Sequence, residues 1–305
     1  MSRSEFIPNI NERETLEHFA ARYLKMPVMF KARMNQTIQH LYLHLEKLPG
    51  FSIDHIFRGG SMGKVTAVKT MADIDLIIFF KGYRSMSAFI KDKDTLILPA
   101  IKRHLTKDPV YSRHWKCTRT SKGYHVTLEM DEYKIKVDIV PAIKVIGATG
   151  DMTKVYEKLA SEPERARPHY SACLAPKQCK FMNNQPQQVK TLIKLVKYWK
   201  ESNNLKLKSY LCELLAVHVF RKDLDKNTSF KLKDGMKHVL RYLKTYETLK
   251  IKFRDYYVPD HWKQYRPSQP YVLDPANPFM NTCTANSSEV SKIKTCAKKT
   301  LSALR

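Results

Sequence analysis

The 305-residue chain sets 54 lysines and arginines against 29 aspartates and glutamates, a formal charge of +25 with a pI of about 9.7. Its length exceeds what one hydrophobic core usually serves, so two lobes are expected, and its charge predicts a polyanionic partner, nucleic acid ahead of a membrane surface. With 43% hydrophobic residues, six cysteines in no CxxC pairing and no apolar run of membrane length, the chain reads against a ribosomal or histone-like binder, a disulfide framework and a membrane-spanning protein.

The start, Met1-Ser2-Arg3-Ser4-Glu5, is polar and shows no signal peptide, which predicts a cytoplasmic protein with free thiols. Glu12 to Lys47 reads as a helix interrupted once: Leu16, Phe19 and Tyr23 share one face, Met34, Ile38, Leu41 and Leu45 another, and Pro27 breaks the run near Met26. Arg22, Lys25, Lys31 and Arg33 gather around the break, as a solvated surface or as part of a polyanion-binding spine. A strand near Phe51 to Phe57 leads into Arg58-Gly59-Gly60-Ser61-Met62-Gly63-Lys64, whose glycines permit a tight turn in which amides and the Ser61 hydroxyl approach a triphosphate. The spacing is not that of a G-x-x-x-x-G-K-[ST] loop, because three residues separate Gly59 from Gly63 and Val65 follows Lys64.

Nine residues on, Asp73-Ile74-Asp75 heads the apolar strand Leu76 to Phe80, and at i, i+2 both carboxylates project from one face. Ser85 to Leu105 reads as helical, with Pro99 as an interruption. Tyr124, Val126, Leu128 and Met130 alternate, Asp131-Glu132 turns, and Ile135, Val137 and Ile139 alternate with Lys134, Lys136 and Asp138. That hairpin delivers Asp138 as a third acid. Three hard carboxylates suit a pair of Mg2+ or Mn2+ ions that clamp an in-line displacement on a nucleoside triphosphate, so the constellation reads as a nucleotide-polymerising site. The second half reads as helical, over Gln187 to Glu201, Leu207 to Arg221, Leu232 to Leu249 and Ser288 to Leu304, with a Pro-containing connection from Pro259 to Pro278. Lys190, Lys194, Lys197 and Lys200 form a basic stripe on the first of these helices, read from the residues alone as a solvated face. His169, Cys173 and Cys179 form a weak zinc alternative.

The run GGSMGKVTAVKTMADIDLIIFF resembles the signature of the 2'-5'-oligoadenylate synthases. The likeness continues in Lys136 to Ala142, in Tyr170 to Met182, in Gln187 to Trp199 and in Tyr271-Val272-Leu273-Asp274-Pro275-Ala276-Asn277-Pro278. Two positions are similar instead to cyclic GMP-AMP synthase and the cGAS-like receptors: Ser209-Tyr210, where the oligoadenylate synthases carry Gln-Tyr, and the wording Val137-Asp138-Ile139-Val140-Pro141.

The resemblance implies an α+β fold, a polymerase-beta-like nucleotidyltransferase core with a mixed sheet, an N-terminal spine helix and a helical second lobe, divided as 1–145 and 146–305. It implies Asp73, Asp75 and Asp138 as catalytic and metal-binding acids, Gly60, Ser61 and Lys197 around the donor triphosphate, and Ser209 and Tyr210 at the base. It offers Arg58 and Lys64 as contacts to double-stranded RNA, beside Arg22, Lys25, Lys31 and Arg33 on the spine. The function implied is an RNA-activated enzyme of innate immune sensing that joins ATP and other NTPs into a 2'-5'-linked messenger. Ser209 tips the expectation from a linear oligoadenylate towards a cyclic dinucleotide, since a hydroxyl discriminates adenine less than an amide does. A template-independent RNA-tailing polymerase and a non-catalytic RNA-binding module are the competing readings.

Overall fold

The computed structural model describes residues 2–69, 73–108, 115–120, 123–130, 133–147, 150–257, 265–284 and 286–304. Its contacts divide the chain into two units: a helical unit of Met1–Lys25, Val68–Thr70 and Asn183–Arg305, and a sheet unit of Met26–Ala67 and Met71–Met182. Segment 146–182 therefore clusters with the sheet, beyond the division expected at 145/146.

Helix α1 (Leu16–Phe19) is capped by the Thr15 hydroxyl, which accepts from the His18 amide at 3.2 Å, and runs on through a π turn, Ala20–Leu24. Extended backbone at Lys25 and Pro27, which has no N–H to donate, ends it before α2 (Val28–Leu45). The helix expected over Glu12 to Lys47 is thus two, broken where Pro27 predicts, and the unit boundary falls in the same break.

In the sheet unit, β1 (Ile53–Arg58), α3 (Gly60–Gly63) and β2 (Asp73–Phe80) follow α2. Next come α4 (Met86–Asp92), a π turn at Lys93–Ile97, and α5 (Leu98–Thr106). The interruption expected at Pro99 is real but sits upstream of it: Pro99 occupies the first turn of α5, where its missing N–H costs nothing, and the π turn absorbs the misfit. Strands β3 (Trp115–Arg119), β4 (Tyr124–Met130) and β5 (Tyr133–Ile143) complete a five-stranded sheet of order β1-β2-β5-β4-β3, in which only β2 and β5 are parallel. Strand β3 was not expected, and the turn at Asp131-Glu132 lies outside the described residues.

Ile74, Leu76, Ile78, Val126, Val137 and Ile139 are fully buried, so one face of the sheet is a continuous apolar layer. Helix α2 packs beside α5, where the His44 and His104 rings stack at 4.0 Å and each bonds the other's backbone carbonyl. Helices α6 (Thr153–Ser161), α7 (Tyr170–Cys173) and α8 (Ala175–Asn183) follow, with α7 against β5.

The helical unit is built on α9 (Gln187–Ser202), α10 (Ser209–Lys222), α11 (Leu232–Lys244) and α12 (Ser287–Ala303). Trp199 is fully buried and donates its indole N–H to Thr300 Oγ1 at 3.0 Å, which fixes α9 against α12. The expectation of an all-helical second half is corrected here. Helix α11 ends at Lys244, not Leu249, and a three-stranded sheet of β6 (Lys250–Ile251), β7 (Tyr271–Asp274) and β8 (Asn277–Asn281) forms there, with β7 inside the stretch read as a connection and β8 running past its end. Strands this short carry no readable alternation.

Candidate active site

The loop between β1 and α3 is tied to β2 by the Gly59 amide, which donates to the Asp75 carbonyl at 2.8 Å. Gly60 has φ +64, a left-handed backbone that side chains disfavour, and a Cβ there would lie 2.9 Å from Asp75 Cγ. The loop therefore rests directly on the carboxylate. At Gly63 a Cβ would come within 2.5 Å of the Arg58 carbonyl oxygen, so the turn closes only with glycine. Val65 follows with φ 59, a left-handed conformation that costs a β-branched residue about 1–2 kcal/mol.

Parallel pairing sets Asp75 opposite Asp138 and Asp73 opposite Lys136. Both Asp75 and Asp138 are half-buried, while their strand neighbours Ile74, Leu76, Val137 and Ile139 face the core. Neighbouring strands lie about 4.8 Å apart, so two carboxylates share one small region, an arrangement that is self-repelling without a cation. Asp73 is described in its backbone only; alternation places its position on the Asp75 face. Among the described residues no three His, Cys, Asp or Glu side chains gather as a metal site, and Asp75 and Asp138 are the two carboxylates described here. Hard oxygen donors of this kind fit magnesium or manganese.

A cavity of about 290 Å³ opens on the same face, with Asp75, Ile77 and Val140 as its floor and Lys93, His169 and Gln178 at its walls. Lys93 is 2% exposed, and burial lowers its pKa. His169 is lowered as well, by burial first and by the Lys93 charge second. Lys93 and Gln178 were not singled out in the sequence, where Ser85 to Leu105 reads only as helical, and His169 entered only as part of the zinc alternative. A signal existed: Phe89, Lys93 and Ile97 recur at i, i+4 and i+8, and all three are buried. The zinc alternative finds no support, since His169, Cys173 and Cys179 do not gather into a cluster that could hold a metal among the described residues.

Lys197, Ser209 and Tyr210 belong to the helical unit. Lys197 is buried and its ammonium lies 3.2 Å from Glu213 Oε1, itself buried. Ser209 is the first residue of α10, and Tyr210 donates its hydroxyl to Asp274 Oδ1 at 2.8 Å. Burial, then the Asp274 charge, pushes the Tyr210 pKa up. Asp274 is fully buried and also accepts from the Ala276 amide at 2.8 Å, so the acid of the Leu273-Asp274-Pro275 segment anchors Tyr210, a role that sequence reasoning missed.

The basic residues expected to meet RNA divide by environment. Arg58 is half-buried and donates to Asn35 Oδ1 at 2.9 Å, and Lys64 is 9% exposed. Arg22 clamps Glu14 with two bonds of 2.8 and 2.7 Å and bonds the Asn9 carbonyl, which holds the Glu14 carboxyl well below the usual range. Lys25, Lys31 and Arg33 are exposed. Arg22 and Lys25 lie in the helical unit, Lys31 and Arg33 in the sheet unit.

A mixed sheet that sets a DxD strand parallel to a second acid-bearing strand, with a glycine loop against the acid, defines the nucleotidyltransferase class of fold. Comparison with known proteins agrees. The chain is similar to the solved CdnC of Escherichia coli MS115-1 in its HORMA complex, with a TM-score of 0.66 and 18% identity over 95% of this chain and 89% of that one. The STING-associated CdnE c-di-GMP synthase of Capnocytophaga granulosa gives 0.58 and 11% over 97% and 87%. At these identities the likeness is one of fold.

The family model for 2'-5'-oligoadenylate synthetase 1, domain 2, C-terminus, matches residues 150–304. The chain belongs to the 2'-5'-oligoadenylate synthase family. Rat 2'-5'-oligoadenylate synthase 1A is 28% identical over 261 residues, covering 77% of this chain and 72% of the relative, and the mouse 1A protein is 26% identical over 305, covering 89% and 83%. Rat inactive 2'-5'-oligoadenylate synthase 1B is 27% identical over 256 residues, 75% and 67%, so family membership alone does not establish catalysis.

Proposed function

We propose that this protein is a double-stranded-RNA-activated nucleotidyltransferase that makes a 2'-5'-linked messenger from NTPs, and that its product is a cyclic dinucleotide. The observation that carries the catalytic reading is the register of Asp75 opposite Asp138 beneath Gly60. An inert scaffold gains nothing from two facing carboxylates under a glycine whose missing side chain lets the loop lie against one of them. Asp75, Asp138 and Asp73 would hold magnesium, which when bound would supply acidification of the attacking ribose hydroxyl and neutralise the triphosphate charge. Gly60 and Ser61 orient the donor triphosphate, and Asp138 draws the proton of the acceptor hydroxyl. Lys93 presents a buried cation on the same face. Lys197 orders the donor through its pairing with Glu213, and Tyr210, steadied by Asp274, presents its ring to a base.

RNA activation rests on the family and on the charge of +25, and A-form RNA is read by shape and phosphates. Lys25, Lys31 and Arg33 are the exposed candidates for that contact. The second reading, a linear 2'-5'-oligoadenylate synthase, is favoured by the names of the relatives; Ser209 in place of glutamine favours the cyclic product. The test is product analysis with all four NTPs, with and without duplex RNA, on the native protein and Asp75→Asn. Equal products from the two proteins would remove the acids from the account. No helix among the described residues is long and apolar enough to cross a membrane.

A further inference from the structure

A concentration of positive charge facing one cavity lies in the helical unit, and nothing in the catalytic reading uses it. A cavity of about 450 Å³ is walled by Arg221, Lys222 and Lys226 on one side and by Lys250, Lys252 and Arg254 on the other, with Tyr271 between them. One carboxylate, Asp255, lines it, and Arg221 pairs with that group at the exposed rim. Six cations against one acid around a single concavity is a self-repelling arrangement.

Part of this has a structural explanation. Arg221 and Lys222 close the last turn of α10, where the helix dipole favours positive charge. Lys250, Lys252 and Arg254 come from β6 and the turn after it, away from any helix C-terminus. They alternate with buried Ile251 and Phe253, and that alternation aims all three cations at the same side. Lys226 is brought in by two consecutive left-handed residues, Asp225 at φ 47 and Lys226 at φ 58, held by the Lys226 amide on the Phe220 carbonyl at 2.9 Å. Lys252 lies over the Tyr271 ring at 5.3 Å, half-buried, and both burial and the neighbouring Arg254 and Arg266 charges lower its pKa. A lysine held where its charge is disfavoured is relieved by an anion.

We propose that this cavity binds a small molecule carrying several linked phosphates, at a site separate from the carboxylates of the sheet unit. The volume falls in the roughly 300–1,000 Å³ range of small-molecule sites, and a concave wall of converging cations suits a compact cluster of phosphates better than the long, open track that a duplex needs. Tyr271 offers a ring face to a nucleobase, so a nucleoside triphosphate and a base-free polyphosphate are the two sources of the same chemistry.

The test is calorimetric titration of the full chain in EDTA and 150 mM salt, with inorganic tripolyphosphate and with ATP, on the native protein and on Lys250→Gln/Arg254→Gln. Both substituted residues are exposed, so the variant keeps its fold. A tenfold or greater weakening of tripolyphosphate binding is expected in that variant, and little change in Lys237→Gln/Arg241→Gln, which removes two charges from a different basic cavity between α11 and α12. Tyr271→Leu distinguishes the sources: it weakens ATP alone if a nucleotide is the ligand and neither ligand if the base is not read. Equal losses in the two double variants would mean general charge attraction and overturn the proposal. It is equally overturned by no binding to the native protein, or by a short RNA duplex that responds to Lys250→Gln/Arg254→Gln while tripolyphosphate does not.

Discussion

Replacing Gly60 with alanine separates backbone strain from interference with the catalytic acid. At φ +64 any Cβ incurs the left-handed penalty, about 1–2 kcal/mol. Gly82→Ala provides the matched control, because Gly82 has φ +89 and open space where its Cβ would stand. Both variants should therefore lose similar stability, and at about 2–4 °C of Tm per kcal/mol for a protein of this size the fall is roughly 2–8 °C. They should differ in turnover. At Gly60 the added methyl lies 2.9, 3.0 and 3.1 Å from the three carboxyl atoms of Asp75, so that side chain must move by several tenths of an ångström. Misplacement on the ångström scale costs about 100-fold in rate, and Gly60→Ala should lose 10- to 100-fold in product formation while Gly82→Ala keeps nearly all of it. The assay is NTP turnover with duplex RNA and magnesium at 20 °C, where both remain folded. Equal activity in the two variants would refute the placement of the loop against the acid.

Further outcomes follow from the same geometry. Asp75→Asn or Asp138→Asn should abolish turnover while the protein still melts cooperatively in EDTA, read by product analysis beside thermal melts. Lys197→Met should cost about 3–5 kcal/mol by stranding Glu213, and Lys197→Met/Glu213→Leu should recover most of it in urea titrations. Turnover that returns with stability in the double variant assigns Lys197 a structural role alone. His218, whose pKa burial depresses to about 4, stays neutral in the fold while the unfolded chain takes up a proton below about 6.5. Stability should hold above pH 6.5 and fall by up to about 3 kcal/mol as pH drops from there to 4, and urea titrations of His218→Gln should show a shallower decline.

The acid-bearing strands were legible in the sequence because two periodicities coincided there. Strict alternation at Ile135, Val137 and Ile139 fixed the side to which Asp138 turns, and the i, i+2 spacing did the same for Asp75. Register was not legible: nothing in either strand alone says that Asp75 pairs with Asp138, which the parallel crossover decides. Lys93 was not singled out within the Ser85 to Leu105 helix, although its place on the Phe89–Ile97 stripe marks it as buried. Strands β6 to β8 escaped because two to five residues span too little for a period to show. Arg22 and Lys64 illustrate a further limit. Composition counts a cation as available to a partner, whereas Arg22 is clamped on Glu14 and Lys64 is buried.

The central claim is that the Asp75–Asp138 site joins nucleotides when RNA is present. Mass spectrometry of products formed from all four NTPs and magnesium, with duplex RNA, duplex DNA or no nucleic acid, tests it most directly. The account predicts a 2'-5'-linked dinucleotide without a 5' triphosphate, seen with RNA only and lost in Asp138→Asn. A chain that binds RNA and yields no product under any condition would contradict it.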